Sequence, residues 1–191
     1  MTHVFQSVFT PEEILTLYKV LAFYSGEGSK IEETGRYIIS STFINYFNGM
    51  SEIIEKIENT VSNIENKKMK MATCAFHLYK TSYGIPTLIP HIDEYAGQVV
   101  FDYQLDSSIS WPIKINKKDY ILSNNEAVMF NGEEVVHSRP KSNFNRNDYV
   151  LMFIVNLIDE KHWYNFNSQN PKSYESILNE LREIREDKEN W

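Results

Sequence analysis

The chain has a single cysteine, Cys74, among its 191 residues, so no disulfide can form within it. A reducing setting such as the cytoplasm is therefore expected. Basic clusters are missing as well. Nineteen Lys and Arg stand against 26 Asp and Glu, for a formal net charge of −7. The electrostatic footprint of a nucleic-acid-binding protein is absent, and the short run Lys67, Lys68, Lys70 reads as a solvated loop. No apolar stretch approaches the roughly 18 residues of a membrane span. Thr10-Pro11-Glu12-Glu13 interrupts the N-terminal segment where a secretory signal needs an unbroken apolar run. Neither an internal repeat nor a linker divides the chain.

What remains is the composition of an ordinary globular protein, 42% hydrophobic and 24% charged. The length fits one domain over residues 1–191. Aromatics are high, at 14%, which fits a β-rich core better than a lined pocket, because aromatic rings pack well on pleated surfaces.

Residues 1–68 read as mostly helical support. Thr10 is a helix cap, Pro11 suits the first helical position, and Glu13 sits where a capping-box carboxylate belongs. Ile14, Leu15, Leu17, Tyr18, Leu21, Ala22 and Tyr24 follow at helical spacing until Ser25-Gly26. Tyr37-Ile38-Ile39 is a short strand candidate. Ser41–Asn66 is expected to be mostly helical, with a break near Asn48-Gly49 and a buried stripe of Ile53, Ile54, Ile57, Val61 and Ile64.

Residues 69–158 change to β character. Candidate strands are Met71–Tyr79, Thr87–Ile89, Gln98–Leu105, Trp111–Ile115, Tyr120–Leu122, Ala127–Phe130, Val135–His137 and Tyr149–Leu157. Alternation in Gln98–Leu105 predicts a half-buried strand. The continuous apolar run from Tyr149 to Val155 predicts a central one. Many short strands joined by brief polar turns indicate a sandwich or barrel. Residues 159–191 read as a loop and a final helix through Tyr174, Ile177, Leu178, Leu181 and Ile184.

The stretch from His91 to Arg146 carries the chemistry. In an extended strand residues i and i+2 point the same way, so His91 and Asp93 can aim at one ion where a strand ends. Pro90 before them and Glu94-Tyr95-Ala96-Gly97 after them fit such an end. His137, 44 positions beyond Asp93, can return to the same mouth from a distant strand. Two histidines and one carboxylate form the facial set that holds iron(II) and leaves the opposite face open.

This pattern resembles that of the iron(II)- and 2-oxoglutarate-dependent oxygenases: His-x-Asp, a gap of tens of residues, a second His, then a basic residue leading the last strand. A group of small bacterial oxygenases is more similar still. Trp111-Pro112-Ile113, Asn125-Glu126-Ala127-Val128-Met129-Phe130 and Gly132-Glu133-Glu134-Val135-Val136-His137-Ser138-Arg139-Pro140 match its segments, with Asn125-Glu126 in place of the usual Gly-Asp. The resemblance covers under half of the chain.

It implies a mainly β, α+β fold: a double-stranded β-helix (jelly roll) core with an N-terminal helical buttress and a C-terminal helix. It implies Fe(II) on His91, Asp93 and His137, with 2-oxoglutarate and O₂ as co-substrates. The outcome expected is hydroxylation of a C–H bond in a small molecule, amino acid or peptide. The carboxylate at Asp93 marks a hydroxylase rather than a halogenase.

The far carboxylate of 2-oxoglutarate needs a cation, and a guanidinium pairs with it through two hydrogen bonds. Arg146, ahead of the last strand, and Arg139, two residues beyond His137, are the candidates, with Tyr79 as a further hydroxyl. Trp111 is core or pocket wall. His3, His77 and His162 are structural or solvent-facing, and Glu94 is an outward charge or an orienting partner for a ligand. Two other readings stay open: a cupin-like metalloenzyme without 2-oxoglutarate, and a β-barrel binding module in which the triad is incidental.

Overall fold

The computed structural model describes residues 1–40, 44, 47–93 and 96–162. The C-terminal helix expected beyond residue 170, and Glu94, lie outside them.

The first strand, β1 (His3–Phe5), leads into helix α1 (Pro11–Tyr24). Thr10 accepts from the Glu13 amide while Glu13 accepts from the Thr10 amide, so two otherwise orphaned donors are satisfied reciprocally. Two short strands follow, β2 (Ser29–Ile31) and β3 (Arg36–Ile39), and then helix α2 (Met50–Glu65). Met50, Ile53, Ile54, Ile57 and Val61 are the buried face of α2. Asn66 ends it in the left-handed conformation that asparagine tolerates.

The remaining strands are β4 (Met69–Tyr79), β5 (Leu88–His91), β6 (Val99–Ser107), β7 (Ile113–Ile115), β8 (Lys118–Tyr120), β9 (Glu126–Phe130), β10 (His137–Arg139) and β11 (Val150–Asp159). They make two antiparallel sheets. The larger runs β1-β9-β6-β11-β4-β3-β2 and the smaller β5-β10-β7-β8. Among the described residues this is a mostly β jelly roll with two α-helices.

The apolar run of β11 is central, paired along its length with β4 and β6. Strand β6 departs from expectation. Seven consecutive residues, Val99 to Leu105, are buried on both faces. Val99, Phe101 and Tyr103 join a core behind the large sheet that includes Leu17, Val20, Ile53 and Ile57 of the helices. Val100 on the other face joins a second core between the sheets, with Trp111, Ile113, Val128 and Phe130. The smaller sheet thus covers the Val100 and Asp102 face that alternation alone assigns to water, while the helices cover the apolar face.

The N-terminal segment also does more than buttress, since β1, β2 and β3 extend the large sheet at both edges. Asn125 replaces glycine without strain. It takes a left-handed φ of 65°, and its side chain bonds both the amide and the carbonyl of Phe9, at 2.8 and 2.9 Å. No helix among the described residues is long and apolar enough to cross a membrane.

Candidate metal centre

His91 ends β5 and His137 opens β10, and the two stand opposite each other in the antiparallel register. Their rings lie 4.2 Å apart. Asp93 follows β5 by two residues, and its amide donates to the Gly132 carbonyl at 2.8 Å. The three side chains converge, with one donor atom from each lying within 4.8 Å of the others. His91 and His137 each place Nε2 3.6 Å from Asp93 Oδ1.

The tautomers follow from the outer contacts. His91 Nδ1 is 2.8 Å from the Ile89 carbonyl, and His137 Nδ1 is 3.1 Å from that of Val135. A carbonyl only accepts, so both Nδ1 atoms carry protons, and in neutral rings both Nε2 lone pairs face inward. Burial pushes His137 down to about 4, against the pull of Asp93, which keeps its ring neutral at pH 7. Two lone pairs and a carboxylate oxygen therefore face one another at distances too long for hydrogen bonds. Such a cluster fits a divalent cation, and the outward Nδ1–H bonds are those that orient metal-bound imidazoles. Iron(II) suits this imidazole and carboxylate set.

Exposure is graded across the site. His137 is 4% exposed, whereas the side chains of His91 and Asp93 retain 25% and 23%. The triad thus stands at the mouth of a cavity of about 140 Å³ that enters between the sheets. Thr73 and Asn156, bonded to each other at 3.1 Å, are polar and uncharged on one wall. Val100, Ile113, Phe130, Met152 and Ile154 make the apolar lining.

The candidates for the co-substrate separate in space. Arg139 lines the cavity and is 3% exposed. It donates to the Trp111 carbonyl at 3.1 Å and to Asp102 Oδ2 at 3.2 Å, and it sits 5.2 Å from the Trp111 ring centroid. Tyr79 also lines the cavity, with its ring edge against Trp111 at 4.9 Å. Burial raises its phenol, partly offset by the charges of Arg36 and Arg139. Arg146 is exposed, in a turn before β11, and is not among the residues lining the cavity.

His77, read as structural, lines the cavity. His162 is buried with Nε2 2.9 Å from Glu133 Oε1. Two cavity residues escaped the sequence reading. Asp102 is 4% exposed, and burial raises its carboxyl against the opposing charge of Arg139. Arg36 reaches the cavity from β3. A charge inside an apolar strand was the available signal for Asp102, whereas Arg36, at the edge of β3, offered none.

Solved structures of iron(II)- and 2-oxoglutarate-dependent proteins share this chain's jelly-roll fold. The epimerase SnoN from nogalamycin biosynthesis, in complex with Fe³⁺, alpha-ketoglutarate and nogalamycin RO, aligns at TM-score 0.67 and 10% identity over 83% of this chain and 78% of that one. An oxidoreductase of the 2OG-Fe(II) oxygenase family from Burkholderia pseudomallei aligns at 0.65 and 8% identity, over 90% and 88%. A prolyl-4-hydroxylase from Pseudomonas putida aligns at 0.60 and 11% identity, over 81% and 91%. No family model and no curated protein matches the chain. At these identities the likeness is one of fold.

Proposed function

We propose that this protein is an iron(II)- and 2-oxoglutarate-dependent oxygenase that hydroxylates a C–H bond of a small molecule, amino acid or peptide. The observation that carries the reading is the convergence of His91 Nε2, His137 Nε2 and the Asp93 carboxylate, within 4.8 Å, at the mouth of a jelly-roll cavity. When bound, iron supplies the activation of O₂: 2-oxoglutarate is oxidised to succinate and CO₂, one oxygen atom entering succinate and the other the substrate hydroxyl.

The chain's residues hold and shield this chemistry. His91 and His137 present neutral Nε2 atoms, fixed by their Nδ1–H bonds to the Ile89 and Val135 carbonyls. Asp93 brings the anionic ligand, set by its amide bond to Gly132. Met152, Ile154, Val100 and Phe130 exclude water from the cavity wall. Tyr79 belongs to the part of the wall that receives the co-substrate, and Arg139 stands beside it, tied to Asp102. The substrate enters past Thr73 and Asn156. SnoN, an epimerase, shares the fold, so the outcome at the substrate carbon depends on how that carbon is held.

The test is anaerobic. Protein loaded with Fe(II) receives 2-oxoglutarate, and the visible spectrum is recorded. A weak charge-transfer band that needs both additions and is lost in His137→Ala is the expected result. Tight iron binding without a band would point to metal chemistry independent of 2-oxoglutarate. Absence of iron binding would make the triad incidental.

A further inference from the structure

Arg36 opens β3 directly opposite Tyr79 of β4, and its guanidinium lines the cavity that the triad guards. One terminal nitrogen lies 3.5 Å from His77 Nδ1, and the group sits 5.9 Å from the Tyr79 ring centroid. A guanidinium only donates, so His77 Nδ1 accepts and the ring is neutral. Arg36 Nε is buried with no partner. Among the described residues Arg36 meets no carboxylate. Among the described residues this planar fork of donors has no carboxylate paired with it, so it can take up an anion that enters the cavity.

Arg139 differs in kind. Its guanidinium is already taken up by Asp102 and the Trp111 carbonyl. Among the described residues the charged groups lining the cavity are Arg36, Arg139, Asp93 and Asp102, whose formal charges cancel, and the two positive charges are unequal in availability. A divalent ion on the triad adds two positive charges at the mouth. The ligand that complements both ends is a dianion, with one end at the metal and the other at Arg36. The volume of about 140 Å³ admits a molecule of that size.

Resting on the function proposed above, we infer that Arg36 receives the distal carboxylate of a 2-oxo dicarboxylate, while Arg139 is a structural tie between the sheets. The cation for the co-substrate is then supplied by a strand that precedes the triad-bearing stretch, and neither Arg139 nor Arg146 takes that part.

The experiment uses the Fe(II)-loaded full chain under anaerobic conditions with two probes, 2-oxoglutarate and 2-oxopentanoate. The second has the same chelating end and no far carboxylate. Affinities are read from the charge-transfer band. Wild type is expected to prefer 2-oxoglutarate by about 10- to 100-fold, the range of one or two charge-assisted hydrogen bonds. Arg36→Gln should erase that preference and leave affinity for 2-oxopentanoate and for Fe(II) unchanged. Arg36→Lys, which keeps the charge and loses the fork, should retain part of it, and it carries the test if thermal unfolding shows Arg36→Gln to be unfolded. Full preference in the folded variants, or a wild type that does not distinguish the two acids, overturns the assignment of Arg36 and leaves the oxygenase reading standing. A wild type that binds iron but neither acid removes both.

Discussion

At the scale of single residues, the metal centre depends on two glycines as much as on its ligands. Gly97 and Gly132 enclose the Asp93 side chain. A methyl group at 132 would overlap Asp93 Oδ2 and stand 2.6 Å from both the Gly97 carbonyl oxygen and Val100 Cγ2. Backbone and a buried valine cannot yield, so the carboxylate must. Gly132→Ala is expected to weaken Fe(II) binding by about 10- to 100-fold, the usual cost of disturbing a ligand's support. An anaerobic iron titration of the folded variant measures this, and an unchanged affinity would show that Asp93 does not ligate.

The same scale shows what local sequence can carry. The pairing of His91 with Asp93 was legible because i and i+2 share a strand face. His137 was legible through its likeness to a known motif. Arg36 was not, because it reaches the cavity only through the β3–β4 register opposite Tyr79, and no local pattern encodes that pairing. The choice between Arg139 and Arg146 was open for a related reason. Burial separates them, and burial comes from the packing of both sheets.

At the scale of elements, the helices were the most readable. Period and a capping box located α1, and period alone located α2, whose N-cap is Gly49 rather than the expected Ser51 and has no side-chain cap. Most strand positions from β3 onward were also legible, within a few residues, whereas β1 and β2 were not. Two-sided burial of β6 was not, since the smaller sheet covers its Val100 and Asp102 face while the helices fill a back core against the other, and distant sequence places both. Helix α2 contributes to that back core through Ile57, which is 1% exposed. Ile57→Ala removes buried methylenes and leaves a cavity, and it should cost about 2–5 kcal/mol of stability. The triad stands on the smaller sheet and the loop after β5, remote from this packing. Iron affinity of the folded variant should therefore match wild type. Urea denaturation and iron titration together test the separation, and a large loss of affinity would mean that the back core sets the site geometry.

At the scale of the whole molecule, the question is what holds one sheet over the other. An apolar cluster fills much of the gap, with Trp111, Ile113, Val128, Phe130, Val150 and Met152. Through that cluster Arg139 of the smaller sheet reaches Asp102 of the larger, with side chains 2% and 5% exposed. Removing one partner of such a pair strands a charge, whereas replacing both by apolar groups does not. Arg139→Ala should cost about 3–5 kcal/mol, and the double variant Arg139→Met/Asp102→Leu should cost much less than the two single changes added together. The pH dependence has a definite sign. Burial already raises the Asp102 carboxyl, and Arg139 opposes that rise. Without Arg139 the folded state keeps a proton that the unfolded state releases, so the stability of Arg139→Ala should fall as pH climbs above the ordinary carboxylate range. Denaturant titrations at several pH values measure both effects. Additive losses with no such slope would mean that the two groups are uncoupled, which would free Arg139 to meet a ligand. A strongly coupled pair leaves Arg139 committed to the fold and Arg36 as the cation that faces the cavity.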